Sequence, residues 1–326
     1  VSMPKDGRMS VAVTVTPQYC GALGKRANCQ VAVSVHAASD TASCPLQWRL
    51  FLPQDRAADG HRRTRTLIPS EVEHREKWRL ALDSLASWGM KPPAVVADAA
   101  YGTNAHLRAA LSERGLTYVL SIRPDVSAHP LNAEPMAPDR KGVVGCWPQP
   151  CYRQKAPSVA ALARALGQEE FSPLTWRQGS KGELRSRFAA LRVRPAGKAV
   201  EQPVKVAASA EQGWWNGVIP DCWLLAEWHI GAEEPSEYWL SNLPPDTPIA
   251  DLVRLAKVYW RIEHDYRELK HGLGLDHYEG RSWPGWHHHV TLVTAAQAFL
   301  TERRLAPKAP EIASPSTRSS TLSKTP

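Results

Sequence analysis

The stretch YWRIEHDYRELK, residues 259–270, puts three acids and three bases into twelve residues. Charge at that density suits either a solvated helix face or a site for a divalent metal and phosphates. The apolar neighbours indicate how the acids are placed. Leu252, Leu255, Tyr259, Ile262, Tyr266, Leu269 and Leu273 recur at alternating steps of three and four, the period of a helix packed along one stripe. Glu263 follows Ile262, and Arg267 and Lys270 lie four and seven residues beyond it, so the three share a stripe that borders the apolar seam. In the first reading Glu263 and Arg267 form an i,i+4 pair worth a few tenths of a kcal/mol. In the second, Glu263 is a metal ligand, and Arg267 and Lys270 grip phosphates about one turn away without quenching it.

A divalent ion bound through oxygen needs a further carboxylate, and Mg²⁺ keeps waters in its remaining positions. Asp98 is the best partner. The apolar run Ala94 to Ala97 predicts a strand buried on both faces, and Asp98 ends it, where open α/β sheets place their sites. An Asp there is costly unless paired, solvated or liganded. The competing reading is a turn-forming Asp in DAAYG.

The elements that must carry these acids can be traced along the chain. In NCQVAVSVHA, Cys29, Val31, Val33 and Val35 alternate with more polar residues, which predicts a half-buried strand. PLQWRLFLP, residues 45–53, predicts a second strand, paired as a hairpin through the turn ASDTAS. RMSVAVTVT suits a third extended piece. PSEVEHREKWRLALDSLASWG predicts a helix, with Ser70 and Glu73 as a capping box and Trp78, Ala81, Leu82 and Leu85 as its apolar face. A further helix is expected over residues 104–114, stopped by Gly115, before the strand LTYVLSIRP. Strands, helix, strand, helix, strand make a mixed α/β sheet the natural fold.

Residues 124–246 are rich in Pro, Gly and Trp, with sparse helical signals. LRSRFAALRVRPAG, CWLLAEWHI and SEYWLSNLP predict strands of a β-rich insertion. A long helix, TPIADLVRLAKVYWRIEHDYRELKHGLG, follows, then a last helix containing WHHHVTL. The expected organisation is a first core part over 1–123, the insertion over 124–246, a helical core part over 247–304 and a disordered polar tail over 305–326.

Composition narrows the function classes. A net charge of +8 and a pI near 9.2 favour a polyanionic partner such as DNA, and HRRTR, residues 61–65, adds to that charge or forms a solvated loop. The 43% apolar content supports a packed core. No run of 18 apolar residues and no apolar leader is present, so a soluble cytoplasmic protein without membrane association is expected. The six cysteines form no CxxC pair, which predicts reduced thiols rather than zinc or disulfides. The absence of GxxxxGK[ST] and GxSxG argues against an NTPase or an α/β hydrolase. Consecutive helical residues point about 100° apart, so His287, His288 and His289 cannot converge on one ion. DHYEGRSW, residues 276–283, adds acids in a loop beyond the long helix. Trp214, Trp215 and Trp223 suit either a β core or stacking on flipped bases.

VVADAAYG, YWLSNLP, YWRIEHDYRELKHGLGLDHYEGRSW, WHHHVTL and PQYCGALGKRANCQVAVSVHA together resemble the DDE-type transposases of bacterial insertion sequences, over roughly residues 3–304. The resemblance implies an RNase H-like mixed sheet flanked by helices, with the β-rich insertion before the last catalytic helix. It implies three carboxylates holding two Mg²⁺ ions, with Mn²⁺ able to substitute, and in-line attack on a phosphodiester. It makes Asp98 the second acid and Glu263 the third, both catalytic and metal-binding. An Arg four residues before the Glu and a Lys seven after it grip DNA in that pattern. Lys270 fits, whereas Tyr259 stands at the Arg position and Arg261 is the substitute. The partners implied are insertion-sequence terminal repeats and target DNA, bound by a homodimer on the bacterial nucleoid.

The resemblance places the first Asp shortly before MPKDG, which begins here at Met3. That acid would fall upstream of Val1, and Asp6 and Asp40 are the nearest substitutes. An N-terminally truncated transposase with impaired cleavage is therefore expected. The alternatives are an inactive remnant that only binds DNA and a host nuclease of the same fold.

Overall fold

The computed structural model describes residues 1–5, 12–87, 89, 91–137, 149–179 and 182–306. In chain order the first half comprises β1 (Ser2–Pro4), β2 (Thr16–Cys20), β3 (Lys25–Ala38), β4 (Ser43–Leu50), α1 (Gln54–Ala58), α2 (Gly60–Arg65), α3 (Lys77–Ser87), β5 (Val95–Ala97), α4 (Ala99–Gly102), α5 (Ala105–Glu113) and β6 (Tyr118–Ile122). The second half comprises β7 (Ala128–Pro130), α6 (Val159–Ala165), β8 (Ser172–Gly179), β9 (Gly182–Pro195), α7 (Lys198–Gln212), β10 (Cys222–Trp228), β11 (Glu237–Ser241), α8 (Ile249–Val258), α9 (Trp260–Arg267) and α10 (Trp283–Leu305). The result is an α/β fold with a mixed β-structure flanked by helices. Among the described residues no helix is long and apolar enough to cross a membrane.

Two sheets organise the chain. In the first, β3 pairs antiparallel with β1, β2 and β4. The expected hairpin is present, closed by Ser39 N–H donating to Ala42 O at 2.8 Å. Alternation in β3 predicted one buried face, yet Cys29 to Val33 are all buried. Ala32 packs with Trp48, Leu269 and Trp286 on one side, while Cys29 and Val31 pack with Cys20 on the other. The extended piece expected from RMSVAVTVT lies partly outside the described residues. Its described part turns at Thr14, with φ 60°, before β2 begins.

The second sheet runs β5-β6-β11-β10-β9-β7, with β8 on β9, and among the described residues only the β5–β6 pairing is parallel. Strand β5 stands at its edge. Its three residues are therefore half-buried, not buried on both faces as the apolar run suggested. The segment 124–246 supplies five strands to this sheet, and also α6 and the 15-residue α7, which its sparse helical signals did not announce.

The helix expected from Ser70 onward starts only at Lys77. Arg63 explains the delay: its guanidinium donates to Val72 O at 3.0 Å and Pro69 O at 2.8 Å, while His74 Nδ1 contacts Leu52 O at 2.8 Å. These bonds hold the segment in irregular form. Ser70 Oγ bonds Glu71, so no capping box with Glu73 forms.

The long helix is two helices joined at Tyr259, followed by a wider π turn over Glu268–Gly272. Helix α8 packs Leu252, Val253 and Ala256 on Val119, Phe188, Leu225 and Trp239 of the second sheet. The chain beyond it belongs to the first sheet, where Leu269 and Tyr266 pack among Trp48, Leu50 and the α10 residues Trp286 and Val290. The α8–α9 pair thus spans from one sheet to the other.

Candidate functional site

Asp98 follows β5 directly and forms the N-cap of α4. Its Oδ1 accepts from Ala100 N–H at 3.0 Å and Tyr101 N–H at 3.3 Å, satisfying donors that a helix start leaves free. The turn-forming role is therefore real, but it uses one carboxylate oxygen. The other, Oδ2, accepts from the Tyr259 hydroxyl at 3.3 Å. Close packing fixes this corner. A Cβ at Gly102 would lie 2.0 Å from Ser121 O, so α4 sits directly on β6.

Glu263 is exposed on the first turn of α9, and Arg267 is exposed one turn later. Among the described residues they form no ion pair with each other, so the i,i+4 reading finds no support. Tyr259 relates Glu263 to Asp98. Burial pushes the Tyr259 phenol pKa up, and the charges of Asp98, Tyr266 and Glu263 push it further. The phenol touches one acid and lies within the field of the other.

Lys270 donates to Ser2 O at 3.0 Å, beside the start of β1. Arg261 turns elsewhere: it donates to Asp40 O and lies 4.8 Å from the Trp260 ring, which Arg177 covers at 3.4 Å. Asp40 sits exposed at the β3–β4 turn, with Arg254 at 3.6 Å. Asp6 lies outside the described residues.

The other candidates separate by their bonds. His287 Nδ1 contacts Trp283 O at 3.0 Å and His289 Nε2 contacts Gly274 O at 3.1 Å, so the triplet disperses as expected from helix geometry. Trp215 is buried and Trp214 is exposed, while Trp223 donates to Pro244 O. Cys20, Cys29, Cys44, Cys151 and Cys222 are free thiols, and Cys146 lies outside the described residues.

Two clusters escaped the sequence reading. Asp265, buried two residues after Glu263, accepts from Ser43 Oγ at 2.7 Å and contacts His36 Nδ1 at 2.9 Å. His36 Nε2 meets Ser34 Oγ at 3.0 Å, and Ser34 meets the Tyr266 hydroxyl at 2.6 Å. This chain of bonds docks α9 on β3 and β4. The second cluster is Glu227, His229 and Glu237, whose ligand atoms lie within 4.8 Å of one another and could chelate a divalent metal. Glu227 and Glu237 stand directly opposite each other on β10 and β11. Lys257 bridges them, at 3.2 Å from Glu237, and so already supplies a cation between two like charges. Both glutamates were visible within predicted strands, but only register brings them together.

An acid at a strand end and a second on a basic helix, carried by a mixed α/β fold, suit chemistry on a charged backbone. Residues 1–183 match the profile of the DDE superfamily endonuclease domain, more than half of the chain, and the protein belongs to that family. The family implies interaction with DNA. Asp98 falls inside the matched span and Glu263 beyond it. No curated protein sequence matches the chain.

Proposed function

We propose that this chain is the catalytic region of an insertion-sequence transposase with an RNase H-like core. It cleaves and transfers DNA strands at the ends of its own element. The observation that carries the reading is Tyr259, which bonds Asp98 and feels Glu263. Asp98 and Glu263 suit Mg²⁺ or Mn²⁺ in donor type, because both offer carboxylate oxygens and Glu263 has no competing ion pair among the described residues. A bound ion would supply activation of the attacking oxygen and charge stabilisation at the phosphate. The chain's own groups do the rest: Tyr259 and the α4 N–H groups orient Asp98, while Lys270 and Arg267 contribute positive charge for the DNA backbone.

The second reading, DNA binding without cleavage, is favoured by Asp98 and Glu263 being the only carboxylates among the described residues whose charge acts on Tyr259.

Calorimetric titration with Mn²⁺ tests the site without requiring turnover. The wild-type chain should bind the ion, and Asp98→Asn and Glu263→Gln should each weaken binding at least tenfold while gel-shift affinity for DNA persists. Where an active form nicks supercoiled plasmid with Mg²⁺, the same changes should abolish nicking. Unchanged Mn²⁺ affinity in Glu263→Gln would remove Glu263 from the site.

A further inference from the structure

Beside Asp98 lies a cavity of about 310 Å³ that the proposed chemistry does not use. It is bounded by Phe51 after β4, by His74, Lys77 and Trp78 at the start of α3, and by Tyr101 and Asn104 around α4 and α5. That volume is at the small end of the range for ligand pockets, about 300–1,000 Å³, and suits one flat ring system. The walls are mostly aromatic, and the one carboxylate among them, Glu76, is paired with Arg79 at 3.1 Å. His74 meets Phe51 edge to face at 5.6 Å, and the phenol of Tyr101 and the indole of Trp78, which stacks with His106 at 6.3 Å and carries Arg79 at 4.9 Å, complete the lining.

Three polar features mark what the cavity would take. Lys77 holds its ammonium 4.8 Å from the Phe51 ring centroid. Burial pushes the Lys77 pKa down, and among the described residues no carboxylate pairs with it. Half-buried, it has lost part of its water without gaining a carboxylate partner, which favours an anion beside it. The Trp78 indole N–H is buried without a partner among the described residues. Asn104 turns its carbonyl oxygen to His106 N–H and Leu107 N–H, which leaves its NH₂ group to donate. Aromatic faces, ring-edge donors and one unpaired cation are complementary to a base attached to a phosphate.

Position supports this assignment. Tyr101 belongs to α4, whose N-cap is Asp98, so the cavity opens within one helical turn of that carboxylate. The geometry points to a pocket for one unpaired DNA nucleotide, its base between Phe51, Trp78 and Tyr101 and its phosphate on Lys77. This rests on the DNA-processing reading above and adds to it the seat of a nucleotide next to the reacting strand.

A single-stranded DNA 12-mer carrying one 5-iodouracil, with a fluorescent label, separates the two readings. Anisotropy measures binding by the full chain, and ultraviolet cross-linking with peptide mass spectrometry locates the base. Cross-links should fall on Phe51, Trp78 or Tyr101. Phe51→Leu, which keeps apolar bulk, should weaken binding by about fivefold or more through lost stacking, with an unchanged thermal melt. Lys77→Gln should lower the slope of log affinity against log salt by about 0.7, the value for one phosphate contact on a single strand. Binding with cross-links only outside the cavity, or unchanged affinity in Phe51→Leu, overturns the pocket and leaves DNA processing standing. No binding of the oligonucleotide overturns both.

Discussion

The three acids of residues 259–270 divide by what each side chain touches. Glu263 is exposed and unpaired among the described residues, Asp265 is buried between Ser43 and His36, and Glu268 bonds Gln297 at 3.0 Å and Arg304 at 2.8 Å. Only Glu263 has its oxygens free for an ion. The contrast yields a paired prediction. Asp265→Ala strands a buried hydroxyl and a buried imidazole, and should cost about 2–5 kcal/mol. Glu263→Gln removes no packing and no pair, and should stay within about 0.5 kcal/mol of wild type. Urea denaturation of both variants checks this. A large loss in Glu263→Gln would make it a structural residue, whatever it does to cleavage.

At the scale of elements, what was legible in the sequence depended on whether its cause was local. The β3–β4 hairpin, α5 and β6 all follow from local patterns, and all are present. The seam from Leu252 to Leu273 was legible too, but its break at Tyr259 was not, because the two halves pack on different sheets. The late start of α3 depends on Arg63, whose contacts a periodicity cannot reveal. For the same reason the bond from Tyr259 to Asp98 could not be read from the sequence. The Glu227–Glu237 pairing is register, which is non-local, and it carries its own prediction. Burial pushes Glu227 above its ordinary carboxylate value of 4.5, with Lys257 opposing. The unfolded chain then releases this proton first, so stability falls as pH rises from about 4.5 through the raised value. Glu227→Gln should remove that fall in a series of urea midpoints against pH. Lys257→Met should lower the midpoint more at the high end of that series than at the low end, since a protonated Glu227 tolerates the loss of its cation. An equal loss across the series would mean that Glu227 does not change protonation within it.

For the whole molecule, the two proposed ligands come from different sheets. Asp98 closes the edge strand of the second sheet, and Glu263 rides on the helix docked to the first by Asp265, Tyr266 and Leu269. The Tyr259–Asp98 bond, at 3.3 Å, is a long one to join them. An ion shared by the two carboxylates would bind the folded chain and not the unfolded one, and so would stabilise it by mass action, about 2.7 kcal/mol at 100 times its dissociation constant. The melting temperature should therefore climb with Mn²⁺ concentration in wild type and remain flat in Asp98→Asn and in Glu263→Gln. The second metal-capable cluster supplies the control. If Glu227, His229 and Glu237 were the true seat, His229→Ala would flatten the response while Asp98→Asn left it intact. A climb lost in the Asp98 and Glu263 variants alone would locate the ion where the sheets meet and make metal binding a property of their juxtaposition.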